Sequence, residues 1–539
     1  MNDEKINGNK STDKNTSTSD KNAVNTGKNS KNKTKNKKKN NRATGFILCI
    51  LVFIIISGTA LIIYMGRDLF DNGKEEPDTT NNVTQEQTTK PIIKDFVGLR
   101  DVKGTISGVD AYIYGISLCI KGEIQINDVN DTNNTNDTTD TTDTLPQDQE
   151  TETTNNYSVT DSDIYEKMSF IIRRAYTNED GSIADDYREF PAYFQTEGDV
   201  ITFSSYDKIN NGLCLELRDE EEYVLVLKAV RADGVEEIYS LSFEDTVGEL
   251  KYYTLTKNSE NYLVDMKNMK SADGISYCAI DIEKTSLPED VYDIVLDPGH
   301  GGNDPGAVNG DYCESVTMLD YAKDIKAEFE KLGYKVLLTR DGSESSDEWM
   351  AYTMYDENGR VNVAAGSNAK YCFSLHLNSN EVKLSSGGIQ IYHSCRADKS
   401  IAKHIVDTIV EKTGTHYSPM SAFKEVDGVY YRAYSEADIS ENKAGAQKNG
   451  YEPYNITTDT DYYFMIRELG GVATNAYVDG RNPKYGSNNF RNSRNGVETL
   501  ICELGFISVD EDLEHILNNK ELYVKAIVEG FETWRNIDE

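Results

Sequence analysis

The sequence predicts an α/β domain with a mainly parallel, twisted sheet and flanking helices over residues 286–539. Ahead of it are predicted a β-rich, sandwich-like domain at 96–285, a flexible linker at 66–95, a transmembrane helix at 45–65 and a disordered basic tail at 1–44. Three observations predict this order. From residue 291 onward strand-like runs alternate with helical ones, the pattern of parallel strands joined by crossover helices. Between 96 and 285 the strand-like runs follow one another directly, parted by Gly, Asn and Asp turn signals. Before both, 21 consecutive residues carry no charge.

The chain of 539 residues holds 91 Asp or Glu and 56 Lys or Arg, a formal net charge of −35. Residues 1–44 nevertheless carry 12 basic and 4 acidic side chains, a net of +8, which leaves −43 on the remainder. A surface that acidic repels a phosphate backbone and argues against nucleic acid as a partner. The uncharged run GFILCILVFIIISGTALIIYM, at ~1.5 Å per residue, makes a helix of roughly 30 Å, the thickness of a bilayer's hydrocarbon core. The basic cluster KNKTKNKKKNNR, bounded by Lys31 and Arg42, precedes it and sets the N-terminus in the cytoplasm and the following residues outside. A cleaved secretory signal is the alternative, but the 44-residue lead favours an uncleaved anchor. The same cluster is a candidate site for anionic membrane lipid, at ~1 kcal/mol per basic residue near the surface, its plainer reading being a topology signal. Residues 66–95 are polar and poor in aromatics, a tether with an r.m.s. span of roughly 30 Å.

In the β-rich region the strand-like runs are GVDAYIYGISLCIKGEIQI, EKMSFIIRRAYT, GDVITFSSY, LCLELRD and YVLVLKAVR, with turn signals NNG at 210–212 and ADG at 232–234. A tract at 127–156 is too polar to bury a core and is expected to be disordered. None of the six histidines falls before residue 300, so this region reads as a spacer or a recognition module. Of the eight cysteines, Cys49 lies in the apolar run and the other seven form no C-x-x-C pair. They predict no disulfide framework and read as small buried hydrophobes.

The α/β region opens with DIVLDPGHGGNDPGA (293–307), an apolar strand set directly against a glycine-rich loop around His300. A helix at 314–332 follows, with Val316, Leu319, Ala322, Ile325, Phe329 and Leu332 at spacings of three and four and Gly333 as its cap. Next come the strand YKVLLTR, a helix ending near 367, the strands YCFSLHL (371–377) and GGIQIYHS, and a helix at 399–413 capped by Gly414. A long polar, tyrosine-rich insertion at 417–461 precedes the strand ETLICELGF (498–506) and two C-terminal helices.

In open α/β sheets, ligands bind beyond the carboxyl ends of the strands, and four polar residues fall there: His300, Glu314, His376 and Glu503. Two imidazoles and a carboxylate are the ligand set of many catalytic zinc sites, which keep a fourth position for water. A phosphate cradle is the alternative for the glycines, but GHGGNDPG lacks the Lys-Ser/Thr of a P-loop. Glu314 opens a helix, where an acid also favours the helix dipole. Glu503 sits between Ile501–Cys502 and Leu504–Gly505–Phe506, where burial raises a carboxyl pKa towards neutrality, as suits a general base. A buried salt bridge, with Arg467 as partner, is its alternative. Asn378, Arg467 and Arg481 are candidate substrate contacts, the arginines for peptide carboxylates, with ordinary salt bridges as the equal alternative. His393 reads as a packing or substrate residue.

Together the segments DPGHGG, ESVTMLDYAKDIKAEFEKLGYKVLLTRDG, RVNVAAGSNAKYCFSLHLNSN and VETLICELGFIS resemble the zinc-dependent N-acetylmuramoyl-L-alanine amidases, bacterial peptidoglycan hydrolases, over about residues 291–535. The resemblance implies zinc (Zn2+) held by His300, Glu314 and His376, with Glu503 as the catalytic glutamate and peptidoglycan as the substrate. The helix start reads Cys-Glu-Ser where members often have an acid followed by a lysine. Some relatives cover the zinc with an insertion in this part of the domain until a partner removes it, so 417–461 is a candidate lid and a protein activator a candidate partner. Two rivals stand beside the amidase: a zinc peptidase acting on stem peptides, and a catalytically silent wall-binding or regulatory protein in which the β-rich region is the working part. With the anchor, the chain is expected as a single-pass protein of the bacterial cell membrane, its N-terminus cytoplasmic and its α/β domain outside.

Overall fold

Runs such as IVLDP and ETLICELGF are apolar on both faces, the signature of strands covered by helices on either side. In the computed structural model, which describes residues 94–126, 164–345, 358–380, 387–450, 452–476 and 493–536, they form the centre of a seven-stranded sheet. Its strands are β1 (Ile294–Pro298), β2 (Val336–Leu338), β3 (Tyr371–Asn378), β4 (Gln390–His393), β5 (Lys424–Val426), β6 (Val429–Tyr431) and β7 (Glu498–Phe506), in the order β2-β1-β3-β7-β4-β6-β5. The helices are α1 (Glu314–Lys331), α2 (Arg360–Gly366), α3 (Ser400–Thr413), α4 (Glu436–Asn449), α5 (Phe464–Leu469), α6 (Asp510–Asn518) and α7 (Lys520–Arg535).

Strands β2, β1, β3 and β7 are mutually parallel, whereas β4 runs antiparallel to β7 and β5 antiparallel to β6. With β4 and β6 also parallel, the sheet is mixed but mainly parallel, as expected. The reversal falls at β4, which is separated from β3 by residues 379–389 alone, too few for the helical crossover that a parallel return requires.

One face of the sheet packs α1, α3 and α7 through Leu296, Phe373, Leu500, Ile325, Phe329, Ile405 and Phe531, and the other packs α2 and α5 through Val295, Cys372, Val361 and Met465. Helix α1 buries Met318, Tyr321, Ala322, Ile325 and Phe329, but Val316 is 66% exposed and Leu332 50%. The apolar stripe is rotated from the expected one because the first turn points Glu314 and Ser315 inward. Helix α3 ends as expected on Gly414, left-handed at φ 76°, whose N–H reaches the Val410 carbonyl at 3.0 Å.

In the β-rich region, strand Val102–Tyr114 pairs parallel with Glu236–Phe243 up to Val109, then antiparallel with Ser117–Gln125. A bulge with Gly108 at φ 73° separates the two halves. One strand thus feeds two sheet faces, and Val109, Ile113, Ile120, Phe170, Phe203, Leu225, Leu241 and Val264 close over one core. All the described residues belong to one compact unit. The seven cysteines among them are free thiols, Cys119, Cys278, Cys372 and Cys502 being buried. Among the described residues no helix is long and apolar enough to cross a membrane. The expected span at 45–65, the basic tail with Lys31 and Arg42, the linker to residue 93 and the tract 127–156 lie outside them.

Candidate metal centre

The carboxyl ends of β1, β3 and β7 lie side by side. In the β3/β7 ladder His376 stands opposite Glu503, and β1 ends with Pro298 opposite Leu375. Past β1 the chain turns at once: His300 takes φ 61°, a left-handed conformation that costs a non-glycine residue about 1–3 kcal/mol. That turn brings its ring to the His376 ring, centroids 5.1 Å apart. Two glycines make room. A methyl group on Gly299 would lie 2.3 Å from Cε1 of His376, and one on Gly306 (φ 67°) 2.6 Å from Cδ2 of His300 and 2.7 Å from Oε2 of Glu314. Gly299 and Gly306 are thus spaces for the two imidazoles.

Glu314, delivered by the first turn of α1, joins the two histidines. Its Oε1 lies 3.1 Å from His300 Nε2 and 2.9 Å from His376 Nδ1, and also accepts the Leu377 N–H at 3.0 Å. Its Oε2 accepts the Ala307 N–H at 3.0 Å. One ligand atom from each of the three residues falls within 4.8 Å of the other two. Donors on a tetrahedral ion with bonds of ~2.0–2.1 Å sit about 3.3 Å apart, so the residues present fit a small divalent cation. His300 Nδ1 faces Asp304 Oδ2 at 2.9 Å, the carboxylate partner that orients a ligating imidazole and directs its other nitrogen at the ion.

The loop is fastened from beneath. Arg340, after β2, donates to the carbonyls of Pro298, Gly299 and Ser315 at 2.7 to 2.8 Å. Arg360, at the start of α2, donates to Asp297 at 2.8 Å and to the His300 carbonyl at 2.6 Å. Asp297, fully buried at the end of β1, also accepts from Thr339 and Ser374. Burial alone would raise the Asp297 pKa, but Arg360 and these two hydroxyls hold it below the ordinary carboxylate value.

Burial by itself would lower the His300 pKa, yet the hydrogen bonds with Asp304 and Glu314 outweigh it and raise it to about 10. Burial would raise the Glu314 pKa, but its hydrogen bonds with His300 and His376 hold it well below the ordinary carboxylate value. An entering cation is therefore expected to displace a proton from His300 near neutral pH, and metal affinity to rise with pH. The expected slope is roughly tenfold per pH unit for each proton displaced. Metal titrations at pH 6 and pH 8 measure it, and equal dissociation constants would refute the protonated cluster. Alanine at Gly299 is expected to weaken metal binding by roughly 10–100-fold by driving His376 aside, with the helical content by circular dichroism unchanged.

Glu503 is 4% exposed, and its Oε2 has no hydrogen-bond partner among the described residues. Burial pushes its carboxyl up to about 7, with His376 pulling down and Glu314 pushing up. The alternative of a salt bridge to Arg467 is not the arrangement found: that guanidinium donates to Glu468 and to the carbonyls of Asp461 and Tyr462.

Arg467 is 3% exposed and Asn378 6%, the latter donating to Gln390 at 2.6 Å. Arg481 lies outside the described residues. His393 is buried and paired with Glu425 at 2.8 Å. The insertion 417–461 supplies β5, β6 and α4, which extend the sheet beyond β4. With it in place the side chains of His300 and His376 keep 16% and 21% exposure. Asp297, Asp304, Arg340 and Arg360 were missed by sequence reasoning. Asp304, an acid four residues beyond a loop histidine, carried the one readable signal.

The family model for N-acetylmuramoyl-L-alanine amidases matches residues 294–438, which include His300, Glu314 and His376 but not Glu503. The germination-specific N-acetylmuramoyl-L-alanine amidase of Bacillus subtilis is 32% identical over 130 residues, 23% of this chain and 55% of that protein. N-acetylmuramoyl-L-alanine amidase LytC of the same organism is 28% identical over 143 residues, 26% of this chain and 27% of that protein. The chain thus spans about half the length of the first relative and about a quarter of the second. Among solved structures, the CwlD amidase of Clostridioides difficile, in complex with the GerS lipoprotein, aligns over 46% of this chain and 99% of its own at 20% identity and a TM-score of 0.31.

Proposed function

We propose that this chain is a membrane-anchored zinc hydrolase cleaving the amide between the lactyl group of N-acetylmuramic acid and L-alanine in bacterial peptidoglycan, a reading supported by the match of residues 294–438 to the family model for N-acetylmuramoyl-L-alanine amidases. The observation that carries the proposal is the convergence of His300, Glu314 and His376 at one end of the sheet, with the buried carboxyl of Glu503 directly across the ladder from His376.

Zinc, when bound, supplies a Lewis acid for the amide carbonyl and lowers the pKa of water to ~7. The chain's own residues do the rest. His300, Glu314 and His376 hold the ion, and Asp304 fixes the His300 ring. Glu503 takes the proton of the attacking water as its oxygen bonds to the carbonyl carbon, and returns it to the amine nitrogen as the C–N bond breaks. A carboxyl raised by burial to about 7 suits both tasks near neutral pH.

The uncharged run 45–65 and the basic cluster from Lys31 to Arg42 support an anchor whose tether places the hydrolase outside the cytoplasmic membrane, with anionic lipid as a further contact of the cluster. Mass analysis of digested peptidoglycan tests the substrate. Intact stem peptides with an L-alanine amino terminus are expected, and shortened stems would replace the amidase by a peptidase.

A further inference from the structure

The three strands that carry the site, β1, β3 and β7, lead at their carboxyl ends to His300, His376 and Glu503. At the opposite end each begins beside a buried charged residue: Asp293 before β1, Lys370 before β3 and Glu498 as the first residue of β7, all at most 3% exposed. The β-rich domain reaches every one of them. Thr256 reaches both carboxylate oxygens of Asp293, one by its N–H at 3.0 Å and the other by its hydroxyl at 2.7 Å, the latter oxygen also accepting the Lys335 N–H at 2.8 Å. The Lys370 ammonium lies 5.5 Å from the Tyr252 ring centroid, a cation–π contact, and has no hydrogen-bond partner among the described residues. Glu498 Oε1 accepts the Asn210 amide at 3.0 Å, while the Asn210 carbonyl accepts the Asp398 N–H at 2.9 Å.

The chain just ahead of β7 is itself part of the β-rich domain's sheet. Residues 495–496 pair parallel with Ile113 and Tyr114, with Ile113 donating to the Arg494 carbonyl at 2.6 Å and Gly115 to that of Gly496 at 3.0 Å. Arg494 forms an ion pair with Asp110. Leu255, beside Thr256, is buried in the core beneath β1 and β3, and Ile209, beside Asn210, packs with Tyr112, Tyr114, Ala397 and Ala473.

We infer that the β-rich domain is the base on which the metal centre is aligned, with Asn210 and Thr256 as positioning residues that act through β7 and β1. A catalytic constellation needs placement within about 0.5 Å, and strands rise ~3.3 Å per residue as stiff, hydrogen-bonded rods. Fixing three adjacent strands at their starts sets their mutual register and tilt, and hence the separation of His300, His376 and Glu503 roughly 17 Å away. Removing one partner leaves a buried carboxyl oxygen short of a hydrogen bond, which the strand relieves by shifting. The spacer reading of this domain does not require contacts of this kind at all three strands.

The test uses the full chain with Asn210→Leu and Thr256→Val together, and Thr256→Ser as the conservative control. Zinc serves as the probe in competition titrations against a chromophoric chelator. Its dissociation constant is expected to rise about tenfold, within the range of intramolecular coupling, with circular dichroism unchanged and Thr256→Ser at the parent value. Amide exchange in 371–378 and 498–506 is expected to accelerate while that of α7 stays protected. A folded double variant with parental zinc affinity and parental exchange would overturn the inference. Thr256→Val, which keeps the backbone bond to Asp293, carries the same test if the double variant does not fold. The inference leans on the proposed function only in expecting kcat to fall at constant KM. A parent chain that binds zinc but releases no stem peptide defeats that reading, and the affinity and exchange results still decide this one.

Discussion

Glu503→Gln is expected to bind metal as the parent chain does and to lose about 10²–10⁴-fold in hydrolysis. Glutamine has the shape of the carboxylate but cannot accept and return a proton. The fold does not need the charge: Glu503 Oε2 is buried without a partner among the described residues, and a neutral side chain there escapes the cost of burying an ion. Stability is therefore expected to hold or to rise slightly, so a fall in activity reports chemistry. Stem-peptide release followed by mass analysis, with zinc content measured on the same samples, separates the two effects. Hydrolysis at the parent rate would remove Glu503 from the mechanism.

The second large effect belongs to the ligands. His376→Ala and His300→Ala are each expected to abolish both zinc retention and hydrolysis, the reverse of the Glu503→Gln pattern. Glu314 Oε1 would keep the Leu377 N–H and one imidazole, two protein donors in place of three, too few for a catalytic site that also holds a water. Metal content after dialysis is the direct readout. Retention of stoichiometric zinc by either variant would show that the ion is held elsewhere.

Much of this centre was legible because three of its four main residues stand at or just past the carboxyl ends of strands and the fourth opens a helix. His300, His376 and Glu503 interrupt or terminate apolar runs, and Glu314 opens an amphipathic helix, so position and residue type together singled them out. The glycine signals at Gly333 and Gly414 marked helix ends for the same reason: their backbone angles, φ 95° and 76°, disfavour other residues. What escaped depends on partners distant in the chain. Arg360 and Asp297 pair across 63 residues, and Thr339 and Asp297 across 42, and no local pattern announces either. Asn261–Lys270 was not picked out as a strand because NYLVDMKNMK mixes buried and polar positions at its exposed end. The direction of β4 could not be read at all, since an apolar run looks alike in either orientation.

The ladder that sets His376 opposite Glu503 has one more consequence. Neighbouring strands are spaced by their backbone hydrogen bonds, ~4.8 Å apart whatever the side chains. As long as the register and tilt of β3 against β7 hold, the offset between acid and ligand is independent of the loops above it. Those loops can therefore differ in length and composition without moving the acid against its ligand.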